Sequence, residues 1–324
     1  MRVLSFAAAL AVALGCATGA HAQAYPSHPI TMIVPFPPGG PTDTIARIMA
    51  EHMKTSLGQT LVIENVTGAG GTIGIGRLAR ADPDGYTLGI GQWTTHVGGG
   101  AIYPLQFHVL NDFEPVSLLT SSPLWIVGKK DLPATNLREL IAWLKANPDK
   151  ASAATVGAGS AAHMCLIYFQ NNTGTRFTYV PYRGGAPAQQ DLVAGQVDLS
   201  CLEASQTLGH YRGGRIRAFA VMDKSRFAAA PDVPTVDEAG APGLHFPFWH
   251  GLWAPKGTPK DIVAKVNAAV VAAFADPAVR KRFADLGMQI PPREQLTPQA
   301  LYAHHKAEIE KWWPIIKAAN IKVE

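Results

Sequence analysis

Charge, cysteine and long apolar runs are all scarce in this chain of 324 residues. Charged side chains make up 16% of the residues and sum to +4. They are scattered, which excludes a basic stripe for nucleic acid, and the only local clusters read as solvated helix ends. The histidines and the 3 cysteines show no H-x-x-x-H or Cys/His spacing, so no metal and no cofactor are expected. Beyond residues 3–14, no stretch is apolar enough to cross a membrane.

The first residues predict export rather than structure. Arg2 supplies a positive start, residues 3–14 form a short apolar run, and residues 20–22 read A-H-A, a cleavage site. We therefore expect a signal peptide over residues 1–22 and a periplasmic protein that begins at Gln23. Cys16 suggests a lipid anchor as a second interpretation, but the leucine usual three places upstream is missing. Cys165 and Cys201 then remain, either as a disulfide or as two buried small apolar residues.

Short β-rich runs alternate with helical patterns along the whole chain. This alternation predicts an α/β protein with two domains, in which helices cover both faces of parallel sheets. The predicted strands are 31–36, 60–64, 86–90, 124–128, 152–156, 177–180, 197–202, 217–221 and 249–254. The predicted helices include 44–57, 137–147, 161–171, 187–194, 259–274 and an amphipathic one at 298–320, with Leu301, Ile309, Trp312, Trp313 and Ile316 facing inward.

Three glycine-rich turns join predicted strands to helices, at residues 37–43, 157–163 and 182–188. In open α/β sheets, ligands bind beyond the carboxyl ends of the strands, where helix N-termini leave amides free. In the first turn, the N–H groups of Gly39, Gly40 and Thr42 are candidate anion donors, Pro41 suits a helix start, and Thr42 or Asp43 could cap it. Because the turn lacks G-x-x-x-x-G-K-[ST], a carboxylate fits better than a nucleotide phosphate. An ordinary capped connection is the alternative.

The other two turns allow competing interpretations. Residues 157–162 match G-x-G-x-x-A, but the next strand ends without Asp or Glu, so a dinucleotide site is discarded. Ser160 and His163 lack a G-x-S-x-G elbow and a third partner, which disfavours a hydrolase. A serine that caps its helix and donates to an anion is the simpler role. Arg183 either adds charge to the third turn or lies in solvent.

Five longer motifs carry a family resemblance: YPSHPI at 25–30, VPFPPGGPTD at 34–43, GAGGTIG at 68–74, DPDGYTL at 82–88 and PDVPTVDEAG at 231–240. At these residues the chain resembles the Bug receptors, the extracytoplasmic solute receptors of tripartite tricarboxylate transporters. The resemblance covers the mature chain. It implies a type II periplasmic-binding-protein (Venus flytrap) fold with two mixed or parallel sheets, lobe 1 being 23–123 plus 245–324 and lobe 2 being 124–244.

The resemblance also implies function. Its members bind a carboxylate through these three turns without transforming it, so we expect no enzyme, a monomer, and inner-membrane transporter subunits as partners. A receptor that serves a sensor kinase instead is an alternative.

Departures from the family pattern point to a ligand. If Phe36, Trp93, Trp249 and His250 line the cleft, they favour a flat aromatic acid such as terephthalate; if they are core, citrate or another aliphatic acid remains open. The complete set of expected ligand-binding residues is Phe36, Pro38, Gly39, Gly40, Pro41, Thr42, Asp43, Trp93, Thr94, Thr95, His96, Gly159, Ser160, Ala161, His163, Tyr182, Arg183, Gly184, Gly185, Ala186, Asp198, Trp249 and His250.

Overall fold

A computed structural model describes residues 25–318 of the chain. The expected signal peptide, its cleavage site and Cys16 lie outside the described residues. Within these residues, ten strands occur in two sheets. In chain order they are β1 Ile30–Val34, β2 Leu61–Asn65, β3 Thr87–Gln92, β4 Phe113–Ser121, β5 Leu124–Lys129, β6 Ser152–Thr155, β7 Thr178–Pro181, β8 Leu199–Glu203, β9 Ile216–Val221 and β10 Trp249–Pro255.

The first sheet has the order β2-β1-β3-β10-β4, and the second has the order β7-β6-β8-β5-β9. In the first, β1 is parallel to β2 and β3, whereas β10 is antiparallel to β3 and β4. In the second, β6 is parallel to β7 and β8, whereas β5 is antiparallel to β8 and β9. The α/β class with two sheets is confirmed. Both sheets are mixed, because each contains one strand that runs antiparallel to both its neighbours: β10 in the first sheet and β5 in the second. Each of these strands directly follows a crossing of the chain from the other sheet.

All nine predicted strands are present, but β4 was not predicted. The sequence of β4 is FEPVSLLTS, and Glu114 and Pro115 near its start interrupt the apolar run that would mark a strand. Proline cannot donate to a ladder, so within sheets it is confined to edge strands, strand starts and bulges. β4 is such an edge, since it pairs with β10 alone.

Ten helices connect the strands and cover the sheets within the described residues. They are α1 Pro41–Leu57, α2 Thr72–Ala79, α3 Gly99–Ile102, α4 Leu137–Ala146, α5 Ala161–Thr173, α6 Gly185–Val193, α7 Ala204–Arg212, α8 Lys260–Ala275, α9 Pro277–Asp285 and α10 Pro298–Ala318. A π-turn at Thr94–Gly98 leads into α3, and 3₁₀ turns occupy Ala69–Gly71 and Arg293–Gln295.

The core is continuous from the first sheet into the long C-terminal helix. All seven residues of β10 are buried, because β3 and β4 flank the strand and α10 packs across this part of the sheet. Leu301, Ile309, Trp312 and Ile316 of α10 are buried, and Trp313 is half-buried. The inward face predicted for this helix is therefore correct. Within residues 25–318, no single helix has both the length and the apolar character to cross a membrane, and α8 with α9 meets that test only as a pair bent by 74°.

Cys165 on α5 and Cys201 on β8 form a disulfide, with their Cα atoms 6.2 Å apart. Both residues are fully buried. Of the two interpretations that the sequence left open, the structure has the disulfide, and it ties the helix that follows β6 to the neighbouring strand. The described part of the chain holds no group of three or more His, Cys, Asp or Glu side chains arranged for a metal ion.

Candidate ligand-binding pocket

A pocket lies between the two sheets at the carboxyl ends of their parallel strands. It encloses about 520 Å³ of space free of protein atoms, part of which is open to solvent. From the first sheet's side it is lined by Phe36, Pro37, Gly40, Pro41, Thr42, Gln92, Thr94 and Phe248. From the second sheet's side it is lined by Leu124, Val156, Ala161, Ala162, Gly185, Ala186, Cys201, Leu202, Glu203 and Gln206. The first turns of α1, α5 and α6 therefore meet at one pocket.

The first predicted turn has a different cap from the one expected. Helix α1 begins at Pro41 with Gly40 as its N-cap, and neither Thr42 nor Asp43 occupies that position. The Asp43 carboxylate accepts the Gly39 N–H at 2.9 Å and the Arg47 Nε–H at 2.8 Å. Burial raises the pKa of Asp43, but hydrogen bonds from Arg47, Gly39 and Asn65 outweigh it and lower the pKa below its usual value.

These contacts correct the role of two predicted residues. The Gly39 amide is already used by Asp43, and both Pro38 and Gly39 are exposed outside the pocket. Gly40, Pro41 and Thr42 do line it. The Thr42 Oγ1 atom lies 3.2 Å from His250 Nε2, so this buried histidine positions the threonine from behind without lining the pocket itself.

In the second turn, protein acceptors already occupy most of the amides. Ser160 is the N-cap of α5, and its Oγ accepts the His163 N–H at 3.1 Å. His163 Nδ1 in turn accepts the Gly159 N–H at 3.1 Å. The Ala161 N–H donates to Thr94 Oγ1 at 3.0 Å. The predicted cap is correct, but Ser160 is fully buried and only Ala161 and Ala162 of this turn line the pocket.

The third turn brings Gly185 and Ala186 into the pocket at the start of α6. Gly184 has φ +148°, and a Cβ at this position would lie 2.8 Å from Pro37 Cδ of the first turn. The turn therefore needs glycine both for its backbone and for this close approach. Tyr182 and Arg183 do not line the pocket; they border a neighbouring crevice with residues 67–71, and Arg183 is exposed.

The predicted tryptophans belong to the core. Trp93 is fully buried against Phe246 and Trp312, and Trp249 packs against His304. Neither tryptophan lines the pocket. Phe36 and Phe248 supply the aromatic rings of the lining instead.

Three further predicted residues also point elsewhere. His96 is buried and stacks on Trp253 with ring centroids 3.7 Å apart, and Thr95 is buried between the Gln92 backbone and His96 Nδ1. Asp198 pairs with Lys129 at 2.7 Å and accepts the Ser152 N–H at 2.7 Å. Asp198 precedes β8 and Ser152 begins β6, so Asp198 and Ser152 lie at the amino ends of these two parallel strands, away from the pocket.

Direct contacts join the two sides of the pocket. Thr94 follows β3 of the first sheet, and Ala161 begins α5 beside the second sheet. The Ala161 N–H donates to the Thr94 hydroxyl and so links the two sides. The Tyr103 hydroxyl donates to the Ala158 carbonyl at 3.0 Å, and Pro37 contacts Gly184. The described structure therefore has the two sheets drawn together around the pocket.

The most polar lining residue, Glu203, was missed by the sequence reading. It is the last residue of β8 and the N-cap residue of α7, although its side chain makes no capping hydrogen bond, and it is only 4% exposed. Burial raises the pKa of its carboxyl to about 8, against the hydrogen bonds from the Ser205 and Ser122 hydroxyls. The signal that could have found it is its place directly after a predicted strand, at the carboxyl end where ligands bind. Gln206 was missed as well; its Nε2 donates to the Gly185 carbonyl at 2.5 Å.

The lining residues, all within the described range 25–318, include no lysine, arginine or histidine. An anion in this pocket therefore depends on peptide dipoles and neutral donors rather than on a countercharge. Ser160 Oγ accepts the His163 N–H, and His163 Nδ1 accepts the Gly159 N–H, so these two side chains do not form a nucleophile and base for a bound substrate.

Comparison with known proteins identifies the family and the structures that this chain resembles. The family model described as the tripartite tricarboxylate transporter family receptor matches residues 45–321. The structure of the periplasmic binding protein BugD is similar at a TM-score of 0.88 and 38% identity, covering 93% of this chain and 100% of BugD.

Two further structures carry ligands. MatC from Rhodopseudomonas palustris with bound malate has a TM-score of 0.87 and 39% identity, over 90% of this chain and 100% of MatC. A second R. palustris protein, with adipate, has a TM-score of 0.88 and 31% identity, over 93% of this chain and 100% of that protein. The two-sheet fold, the meeting turns and these similarities lead to one conclusion: this chain belongs to the tripartite tricarboxylate transporter receptor family, a family of substrate-binding receptors rather than enzymes.

Proposed function

We propose that this chain is a periplasmic receptor that captures a small carboxylate and delivers it to the inner-membrane subunits of a tripartite tricarboxylate transporter. The observation that carries the proposal is the meeting of the N-termini of α1, α5 and α6 at one pocket. Each charge-assisted hydrogen bond to a carboxylate contributes roughly 1.5–3 kcal/mol. A few such bonds, with burial of the ligand body, reach micromolar affinity, or about 8 kcal/mol.

Within the carboxylates, an aromatic dicarboxylate such as terephthalate is the favoured ligand. Phe36 and Phe248 of the pocket lining offer ring surfaces on which a flat aromatic ligand can pack. The malate and adipate bound by the related R. palustris proteins support the alternative, an aliphatic acid such as malate, adipate or citrate. Both alternatives keep the same pocket and differ only in what packs against the two rings.

Calorimetric titration with terephthalate, benzoate, adipate, malate and citrate tests this proposal. We expect micromolar binding of terephthalate and weaker binding of the aliphatic acids. Binding of aliphatic acids alone would refute the aromatic preference, and binding of none of these acids would refute the receptor proposal.

A pair of glycine variants locates the site. Gly40 has an extended backbone and lines the pocket, so Gly40→Leu fills the space without a backbone clash. Gly209→Leu is the matched control, because Gly209 is exposed on α7 and a Cβ there meets nothing within 4 Å. We expect the first variant to lose binding and the second to retain it.

We further propose that the chain works as two lobes that close by hinge motion, residues 23–123 plus 245–324 forming one and residues 124–244 the other. The crossings from β4 to β5 and from β9 to β10 support these boundaries. We expect a monomer, exported through a signal peptide over residues 1–22. If the receptor instead presents its ligand to a sensor kinase, affinity capture will recover that kinase, and a deletion strain will still take up the ligand.

A further inference from the structure

Glu203 is the one ionisable side chain in the pocket lining of the described residues. It stands at the end of β8, at the junction with α7, and is 4% exposed. Its Oε1 atom accepts a hydrogen bond from Ser205 Oγ at 2.8 Å. The side chain does not cap the helix that follows, and the Ser205 and Ser122 hydroxyls both donate hydrogen bonds to it. The hydrogen of the protonated carboxyl is therefore left for the pocket.

The surroundings of Glu203 favour its neutral form. Desolvation raises its pKa to about 8, and the only opposing influences are the neutral Ser205 and Ser122 hydroxyls. No charged side chain within residues 25–318 contributes to the shift. Burying a carboxylate without a countercharge is strongly unfavourable.

The titratable groups around the pocket do not change this balance. His250, behind Thr42 on the first-sheet side, has its pKa lowered by burial to about 3, and His163 at the start of α5 has its pKa lowered to about 4. Both are neutral at pH 7. Asp43 on α1 is turned to Arg47 and Gly39, and α6 and α7 contribute only neutral Gly185, Ala186 and Gln206 to the lining.

A negatively charged ligand strongly favours the neutral form of Glu203. Two negative charges about 5 Å apart in a medium of effective dielectric constant near 20 repel each other by an amount that corresponds to roughly 300-fold in affinity. No lysine or arginine in the lining offsets that repulsion. An ionised Glu203 therefore strongly weakens the binding of an anion.

We propose that Glu203 is a specificity-determining residue that binds as a protonated carboxylic acid and donates its hydrogen to an oxygen at the second end of the ligand. The inference rests on the proposed function and specifies one end of the carboxylate that the pocket accepts. The ligand must present two oxygen groups, one for the helix N-termini and one for Glu203. Terephthalate, adipate and malate meet this requirement, whereas benzoate does not. At alkaline pH, where the free protein has released this proton, the ligand binds together with one proton, which solvent supplies and which returns to solvent on release.

Calorimetry at pH 6.5 and pH 9.0, in two buffers of different ionisation enthalpy at each pH, tests the inference with terephthalate and adipate as probes. We expect the affinity of the wild-type protein to fall about tenfold between these pH values, since only about one molecule in ten still carries the proton at pH 9.0. We expect uptake of close to one proton per ligand at pH 9.0 and close to none at pH 6.5. Benzoate should bind more weakly than terephthalate at both pH values.

Two variants complete the design. Glu203→Gln keeps a hydrogen-bond donor of the same shape and cannot titrate, so its affinity should be independent of pH and its proton uptake zero. Glu294→Gln removes an exposed glutamate remote from the lining and should behave as the wild type. The proton uptake of the wild-type protein needs no variant, so the inference stays testable if Glu203→Gln folds poorly.

The outcomes separate the two proposals. Dicarboxylate binding without proton uptake at pH 9.0, or a Glu203→Gln variant with the wild-type pH dependence, would overturn the role of Glu203 and leave the receptor proposal standing. Failure of the wild-type protein to bind any of these acids at either pH would overturn both.

Discussion

Replacing Glu203 by glutamine should change the pH dependence of folding stability even without a ligand. Burial raises the pKa of this carboxyl from 4.5 to about 8. Between these values the folded protein holds a proton that the unfolded chain has released. The wild-type contribution to the free energy of unfolding is therefore fully present below pH 4.5 and is lost as the pH rises through 8.

The size of the effect follows from the two pKa values. Each pH unit within this window is worth about 1.4 kcal/mol, so the wild-type protein loses roughly 3–4 kcal/mol at this site between pH 5 and pH 8. Glutamine does not titrate and loses nothing there. Relative to the wild type, Glu203→Gln should therefore gain roughly 3–4 kcal/mol on going from pH 5 to pH 8.

Urea unfolding followed by tryptophan fluorescence at the two pH values measures this difference. The comparison must be made between proteins at each pH, because desolvation lowers the pKa of several histidines and makes both proteins more stable as the pH rises. Glu294→Gln, an exposed glutamate, should show no such change. If the stability difference between Glu203→Gln and the wild type is the same at pH 5 and pH 8, the carboxyl titrates normally and the argument for its neutral form is wrong.

Three further substitutions test the turns around the pocket. Ser160→Ala removes the N-cap of α5 and should cost about 1 kcal/mol in urea unfolding, with weaker terephthalate binding in calorimetry. Thr94→Val keeps the shape of the side chain but leaves the buried Ala161 N–H without its acceptor, which costs about 1–3 kcal/mol. Because this hydrogen bond joins the two sides of the pocket, its loss should weaken binding by about 5- to 150-fold. Gly184→Ala places a Cβ 2.8 Å from Pro37 Cδ and should weaken binding by keeping the two sides of the pocket apart, which small-angle scattering would detect as a larger radius of gyration.

Each of these has a result that contradicts it. Unchanged affinity in Ser160→Ala and Thr94→Val would mean that the order of the second turn does not matter for the ligand. Gly195→Ala is the control for Gly184→Ala, because Gly195 also has a positive φ, of +74°, but a Cβ there meets nothing within 4 Å. If both alanine variants behave alike, backbone strain rather than the contact with Pro37 explains the effect.

The strands and the place of the pocket could be predicted because they follow from local patterns. Apolar runs marked nine of the ten strands, and the strand-to-helix order placed the three turns at the carboxyl ends. The orientation of individual side chains could not be predicted in the same way. β10 is buried on both faces, so the alternation that normally separates inward from outward residues is missing, and Trp249 in that strand gave no sign of its direction.

Glu203 was missed for a related reason. Its strand has the sequence LSCLE and continues directly into α7. This helix has no N-cap side chain that would mark its start in the sequence. Glutamate side chains are usually exposed, whereas that of Glu203 is 4% exposed and is hydrogen-bonded by the Ser205 and Ser122 hydroxyls. The long-range contacts that desolvate a residue leave no mark in its neighbouring sequence.

The three glycine-rich turns look equivalent in the sequence, but their amides have different partners in the structure. In the second turn, Ser160, His163 and Thr94 already accept the hydrogen bonds, so this turn holds α5 against the opposite side of the pocket. An amide that is already bonded offers little to a ligand, because the ligand would have to replace an existing acceptor. Recognition of an anion should therefore depend mainly on the starts of α1 and α6, with the second turn keeping these two at the correct distance.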